Sequence, residues 1–97
     1  MAAGEIDQAI VVYRELTQSD PGDERLWQAL FRLHAKRGDR LALLREEHRM
    51  REALRLLADE IDTPEHAQID GPSPETVKEF QRLLASLRDR EPEPLTA

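Results

Sequence analysis

Apolar residues recur at three- and four-residue steps in four separate stretches of this chain, the spacing that places side chains on one face of an α-helix. Ile6, Ala9, Ile10, Tyr13 and Leu16 predict a first helix over about 5–18. Asp20-Pro21-Gly22-Asp23 interrupts it. Proline disfavours helical geometry in the residue before it, and an aspartate here can accept N–H bonds at the next helix start. The second helix, about 23–37, carries Leu26, Trp27, Leu30, Phe31 and His34 as its inner stripe. Lys36 and Arg37 fall in its last turn, where cations favour the negative end of the dipole, and Gly38 suits a left-handed stop. The third helix, about 39–58 with Asp39 as N-cap, continues an apolar seam through Leu43, Met50, Leu54, Leu57 and Ile61, widened by Leu41 and Leu44. Glu47 stands in that seam where an apolar residue is expected. The stretch 62–72, with two prolines, one glycine and three acids, predicts a loop. Ser73-Pro74-Glu75 opens a fourth helix over about 74–88, with Val77, Phe80, Leu83, Leu84 and Leu87 on its apolar side. Glu91-Pro92-Glu93-Pro94 cannot continue it, so 91–97 is expected to be a disordered tail.

Composition supports the same class. Leu, Ala, Glu and Arg dominate, all good helix formers, and β-branched residues are few. Ninety-seven residues fit one all-α domain over 1–90, near the lower limit for a self-sufficient core. Fourteen Lys and Arg against 20 Asp and Glu give a net charge of −6, which argues against free-standing nucleic-acid binding. Without cysteine, disulfides and thiolate metal sites are excluded. The N-terminus lacks a signal-peptide pattern, and no apolar run approaches the roughly 20 residues of a membrane span. A cytoplasmic location is the default expectation.

An internal period sharpens the architecture. Gly4 and Gly38 lie 34 residues apart, as do Ala9 and Leu43, Ile10 and Leu44, and Leu16 and Met50. A 34-residue helix–turn–helix period is the tetratricopeptide signature, Trp-x2-Leu-Gly-x2-Tyr, then Ala-x3-Phe, then Pro. Here Ala9-x3-Tyr13 is followed by Pro21, and Trp27-x2-Leu30 opens the next unit. Phe31 and His34 replace the glycine and tyrosine that should follow, and Leu43 and Glu47 occupy the second Ala-x3-aromatic element. The expectation is a four-helix, tetratricopeptide-like, right-handed array of helical hairpins with a C-terminal packing helix. Counted from the motif, the chain starts halfway through a unit. The face of helix one that an upstream helix would cover therefore awaits another domain or a second copy.

The stretch from Tyr13-Arg-Glu-Leu through Asp20-Pro-Gly-Asp-Glu-Arg-Leu-Trp-Gln-Ala-Leu resembles the bacterial transcriptional activator domain. So do Arg37-Gly-Asp-Arg and, before the last helix, Pro72-Ser-Pro-Glu-Thr-Val. The likeness covers about residues 4–88. It departs at Leu43-Leu44 and Glu47, where that family carries Ala-Leu and a tyrosine, and in the longer acidic insertion over about 63–70. The resemblance implies a tetratricopeptide-like module of actinomycete antibiotic-regulatory activators, usually placed directly after a winged-helix DNA-binding domain. Its implied role is accessory: dimerisation, or contact with other domains or the transcription machinery.

The chemistry-bearing residues favour the same kind of role. His34, His48 and His66 share no adjacent helical turns, and no carboxylate–histidine metal motif is present. There is no Gly-rich phosphate loop and no nucleophile elbow. No enzyme, cofactor, metal or small-molecule substrate is therefore expected. Glu47 is expected to form a structural ion pair with Arg51 or with an arginine of the first two helices. The candidate partner surface is the groove lined by Trp27, Phe31 and His34 with Glu47, together with Ile6 and Tyr13 on helix one. Residues 32–55 hold eight cations against four acids, so Arg37, Arg40, Arg45 and Arg49 form a candidate basic surface. It offers the alternative function, auxiliary contact with DNA phosphates beside a neighbouring DNA-binding domain.

Overall fold

A computed structural model describes residues 3–60 and 72–90. Four helices make it up: α1 (Ala3–Ser19), α2 (Glu24–Arg37), α3 (Arg40–Glu60) and α4 (Pro74–Arg90). Among the described residues there is no strand. Ile61, most of the expected 62–72 loop and the 91–97 tail lie outside the described residues.

Short-range chemistry sets the boundaries. The Asp20 N–H still donates to the Leu16 carbonyl at 2.9 Å, and Asp23 then caps α2, its Oδ1 accepting the Arg25 N–H at 3.1 Å. Trp27 Nε1–H donates to the Pro21 carbonyl at 2.9 Å, which fastens the turn to the helix it precedes. At the other end Gly38 takes φ 71° and ψ 23°. Its N–H bonds the Ala35 carbonyl and that of Asp39 bonds the His34 carbonyl, both at 3.0 Å, a Schellman closure. Asp39 immediately caps α3 through the Ala42 N–H at 3.0 Å. Ser73 begins α4 while its own N–H and hydroxyl donate to Glu24 Oε1 at 2.8 and 3.0 Å.

These pairings fix the directions. Thr76 lies beside Gln28 and Glu79 beside Arg32, so α4 runs parallel to α2. Arg37 at the end of α2 pairs with Asp7 at the start of α1, and His34 pairs with Glu46, so α1 and α3 both run the opposite way. α2 is the centre: it packs against each of the other three helices. The core gathers Ile6 and Ile10 of α1; Trp27, Leu30, Phe31 and Leu33 of α2; Leu43, Met50 and Leu54 of α3; and Leu83 and Leu87 of α4.

Three expectations need correction. Leu16 is 42% exposed, and Thr17 occupies the inner position in its place at 1%. At about 100° per residue Leu16 falls well to the side of the Ile6–Ile10–Thr17 line, and the Thr17 hydroxyl satisfies itself by donating to the Arg14 carbonyl at 2.9 Å. Leu41 and Leu44 do not widen the α3 seam, since both are exposed. The 34-residue correspondence also fails in detail. Gly4 lies within the first turn of α1, whereas Gly38 is a left-handed turn residue, and the 34-residue partners Ile10 and Leu44 are buried and exposed respectively. Inward-facing positions instead match at 37 residues, as Ile6 with Leu43, Tyr13 with Met50 and Thr17 with Leu54. The three-residue difference is most of one helical turn, which a sequence period barely separates.

Trp27, at 1% exposure, is core. Trp27→Ala is expected to lower unfolding free energy by about 3–5 kcal/mol in denaturant titration. A loss under about 1 kcal/mol would contradict its placement.

Candidate functional site

A carboxylate joins three helices at the middle of the structure. Glu46 faces inward from α3 with its side chain only 2% exposed. Its Oε2 lies 2.7 Å from His34 Nε2 on α2 and accepts from Arg14 Nε on α1 at 3.2 Å. Arg49, three residues along α3, donates to the other oxygen, Oε1. The Arg49 guanidinium also lies 5.2 Å from the centroid of the Trp27 ring, a cation–π distance. An ionised carboxylate can only accept, so the pairing fits His34 as the Nε2–H tautomer. His34 Nδ1 is buried without a hydrogen-bond partner among the described residues.

Burial pushes the Glu46 carboxyl up, but the His34 hydrogen bond and the charges of Arg49 and Arg14 outweigh it, leaving it below its ordinary value of 4.5. Both oxygens are occupied by protein donors and almost no surface is left. The cluster is built to hold helices together, with no open side on which to present a proton to a substrate.

Glu46, not Glu47, is thus the buried acid. Glu47 pairs with Arg51 one turn on and sits at the flank of the seam. The inner line of α3 runs through residues 43, 46, 50 and 54, which carries 46 to the centre and 47 to its edge. The available clue was His34: an imidazole in the apolar stripe of α2 requires a polar partner on whichever helix faces it.

The expected groove of Trp27, Phe31 and His34 is not a surface. All three are at or below 1% exposure and point to different neighbours. Trp27 lies under Arg49, Phe31 meets Phe80 of α4 edge-on at 5.6 Å, and His34 meets Glu46. Central position in the bundle explains this, because α2 has a helix on each flank. Ile6 is buried too, and Tyr13 is half-buried against the core. Among the described residues the exposed large apolar side chains are instead Val11, Val12 and Leu16 of α1 and Leu41, Leu44 and Leu56 of α3.

The basic residues are largely engaged. Arg37 pairs with Asp7 at 3.2 Å, Arg32 with Glu79 at 3.1 Å, Arg55 with Glu52 at 3.0 Å, and Arg49 with Glu46. Arg40, in the first turn of α3, is exposed. Arg45 and Lys36 form no ion pair among the described residues.

Depressions formed by the described residues include the following. One of about 220 Å³ opens between α1 and α3, lined by Thr17, Gln18, Trp27, Arg49, Ala53 and Leu56 among others. Another of about 230 Å³ lies between α2 and α4, where Arg32 and Arg82 share Glu79 beside Lys36 and Ser86. Among the described residues, no three His, Asp or Glu side chains are grouped to hold a metal ion, and no helix is long and apolar enough to cross a membrane. His48 is exposed, and His66 lies outside the described residues. Comparison with protein-family models, with curated proteins and with solved structures finds no match to this chain.

Glu46→Ala orphans the buried His34 N–H, a loss of roughly 1–3 kcal/mol in unfolding free energy. Arg14 and Arg49 are half and one-third exposed and remain solvated, so they add little. Glu46→Gln keeps an acceptor for His34 and should lose less. Because the folded Glu46 pKa is depressed, its stabilisation is complete above the ordinary carboxylate range and is lost as pH falls through the folded value. Melting temperature measured from pH 7 down to pH 3 should therefore fall more steeply for wild type than for Glu46→Gln. Parallel curves would contradict the assignment.

Proposed function

We propose that this chain is a non-catalytic protein–protein interaction or dimerisation module of a bacterial transcriptional regulator, built as a tetratricopeptide-like array of helical hairpins. The observation that carries the proposal is the apolar outer flank of α1. Val12 and Leu16 are 52% and 42% exposed, and they share a helix side with the half-buried Ala9. Ala9, Val12 and Leu16 follow one another at three- and four-residue steps, so they form a continuous ridge that a partner helix can pack against. Alternating helix directions around a central α2 suit a hairpin array, and the activator-domain resemblance supplies the regulatory setting. On this reading the 37-residue burial match, in place of 34, marks a divergent version of the repeat.

Auxiliary DNA contact through α3 is the weaker reading. Arg49, Arg51 and Arg55 of that helix are already bound to carboxylates, which leaves little charge for phosphates.

Sedimentation velocity is expected to show concentration-dependent self-association that Leu16→Asp removes. Since Leu16 is surface-exposed, the substitution should change stability by only about 0.5 kcal/mol. A wild-type chain that stays monomeric would exclude the dimerisation form of the proposal. Duplex DNA should give no saturable mobility shift. A shift that weakens steeply with salt would transfer the function to phosphate contact.

A further inference from the structure

We infer that the depression between α2 and α4 binds the phosphate dianion of a small phosphate monoester. Its lining sets three cations, Arg32 and Lys36 of α2 and Arg82 of α4, beside the Ser86 hydroxyl, and contains no acid. Ala35 and Leu83, both buried, complete it with apolar surface. Thr76 lies beside Gln28 and Glu79 beside Arg32, and the same offset carries Lys36 to the level of Leu83. The volume of about 230 Å³ is several times the roughly 30 Å³ of a water molecule, and so admits a phosphate group with part of its substituent.

The positive charge at this point is only partly matched from within. Glu79, its side chain 18% exposed, accepts from Arg32 Nε at 3.1 Å and from Arg82 Nε and Nη2 at 3.3 and 2.6 Å. Lys36 forms no ion pair, and the Ser86 hydroxyl no hydrogen bond, among the described residues. Three cations against one carboxylate leave a double positive excess, on a chain whose net charge is −6. That excess matches a phosphate monoester above its second pKa of about 6. Glu79 also orients the donors. A guanidinium has five N–H groups, of which Arg32 gives Glu79 one and Arg82 two, so the others can meet a second oxyanion together with the ammonium and the hydroxyl. Helix-dipole matching explains a cation at Lys36, in the last turn of α2. It does not explain Arg32 or Arg82, each more than one turn from the end of its helix. A nucleic-acid strand is a poor match, because its phosphates are singly charged diesters spread along a line and the chain as a whole repels a polyanion.

The inference does not depend on the interaction reading, whose surface lies on α1. The probe is phenyl phosphate, followed by backbone amide shifts in proton–nitrogen correlation spectra at about pH 7.5, where the monoester is dianionic. Amides within 32–36 and 82–86 are expected to shift saturably. Phenyl sulfate, of similar shape with one charge fewer, should bind at least about fivefold more weakly. Lys36→Glu and Arg82→Gln, both at exposed positions, should each weaken phenyl phosphate at least about fivefold. Arg45→Glu, an exposed change of equal charge on α3 outside the depression, should leave binding within about twofold. No saturable shift up to about 10 mM phenyl phosphate would overturn the inference. Equal binding of phenyl sulfate, equal or tighter binding of inorganic phosphate, a loss in Arg45→Glu as large as in Lys36→Glu, or a tighter response to a short thymidine strand would do the same.

Discussion

Burying a carboxylate at 2% exposure imposes a geometric condition that an apolar seam does not. Leucine and isoleucine layers tolerate a shift of one helical turn with moderate repacking, because one aliphatic side chain replaces another. Glu46 tolerates no such shift. It requires His34 from α2 at 2.7 Å and Arg14 from α1 at 3.2 Å at the same time, so α1 and α3 can each occupy only one register along α2. A slide of either helix would strand a charge or an imidazole without a partner, at a cost of several kcal/mol, comparable with the whole stability of a domain this size. Arg37–Asp7 at the far end of the α1–α2 hairpin repeats the same register with exposed groups, and Trp27–Pro21 repeats it at the turn.

Much of the framework is legible in the residues because its signals are local. Asp23, Gly38, Asp39 and Ser73 act as caps or stops where their chemistry predicts, and each works within five residues of itself. Such interactions need no knowledge of the tertiary arrangement. The facing of each helix is a different matter. Leu16 and Thr17 are adjacent, and hydropathy alone favours Leu16 for the interior. Only the course of α2 across α1 decides that Thr17 is covered, and the bond from its hydroxyl to the Arg14 carbonyl then removes the penalty for burying it. The 34-residue period misleads for the same reason, since a three-residue change of register leaves the helical pattern almost unaltered while rotating which residue meets the neighbour.

The candidate site was partly hidden for a related reason. Trp27, Phe31 and His34 are correctly identified as one stripe of α2, yet a stripe on a central helix is consumed by its neighbours. Glu46 reads as one more surface acid in an arginine-rich helix, because nothing within the 40–60 segment distinguishes it from Glu47. The distinction comes from residues 12 and 32 positions away, His34 and Arg14, which are invisible to local pattern. The arginines likewise read as a basic face, whereas most are paired with acids from the same helix or its neighbours, some sharing one carboxylate.

The cluster that fixes the register also shapes the surface. α1 and α3 run side by side without close backbone approach among the described residues, and the space between them is spanned by long side chains, Arg14 meeting Glu46 and Arg49 lying over Trp27. Small residues there would let the helices close, as they do in tightly packed hairpins. Guanidinium groups instead span the space, and the gap that remains is lined by Thr17 and Gln18 of α1, Pro21 and Trp27, and by Arg49, Ala53, Leu56 and Leu57 of α3. Arg49 is the one charged residue that lines the gap, and it is already paired with the buried acid. Substituting that acid with a neutral residue would loosen the helices and raise the local positive charge together, so fold and surface chemistry at this point are one design and cannot be altered independently.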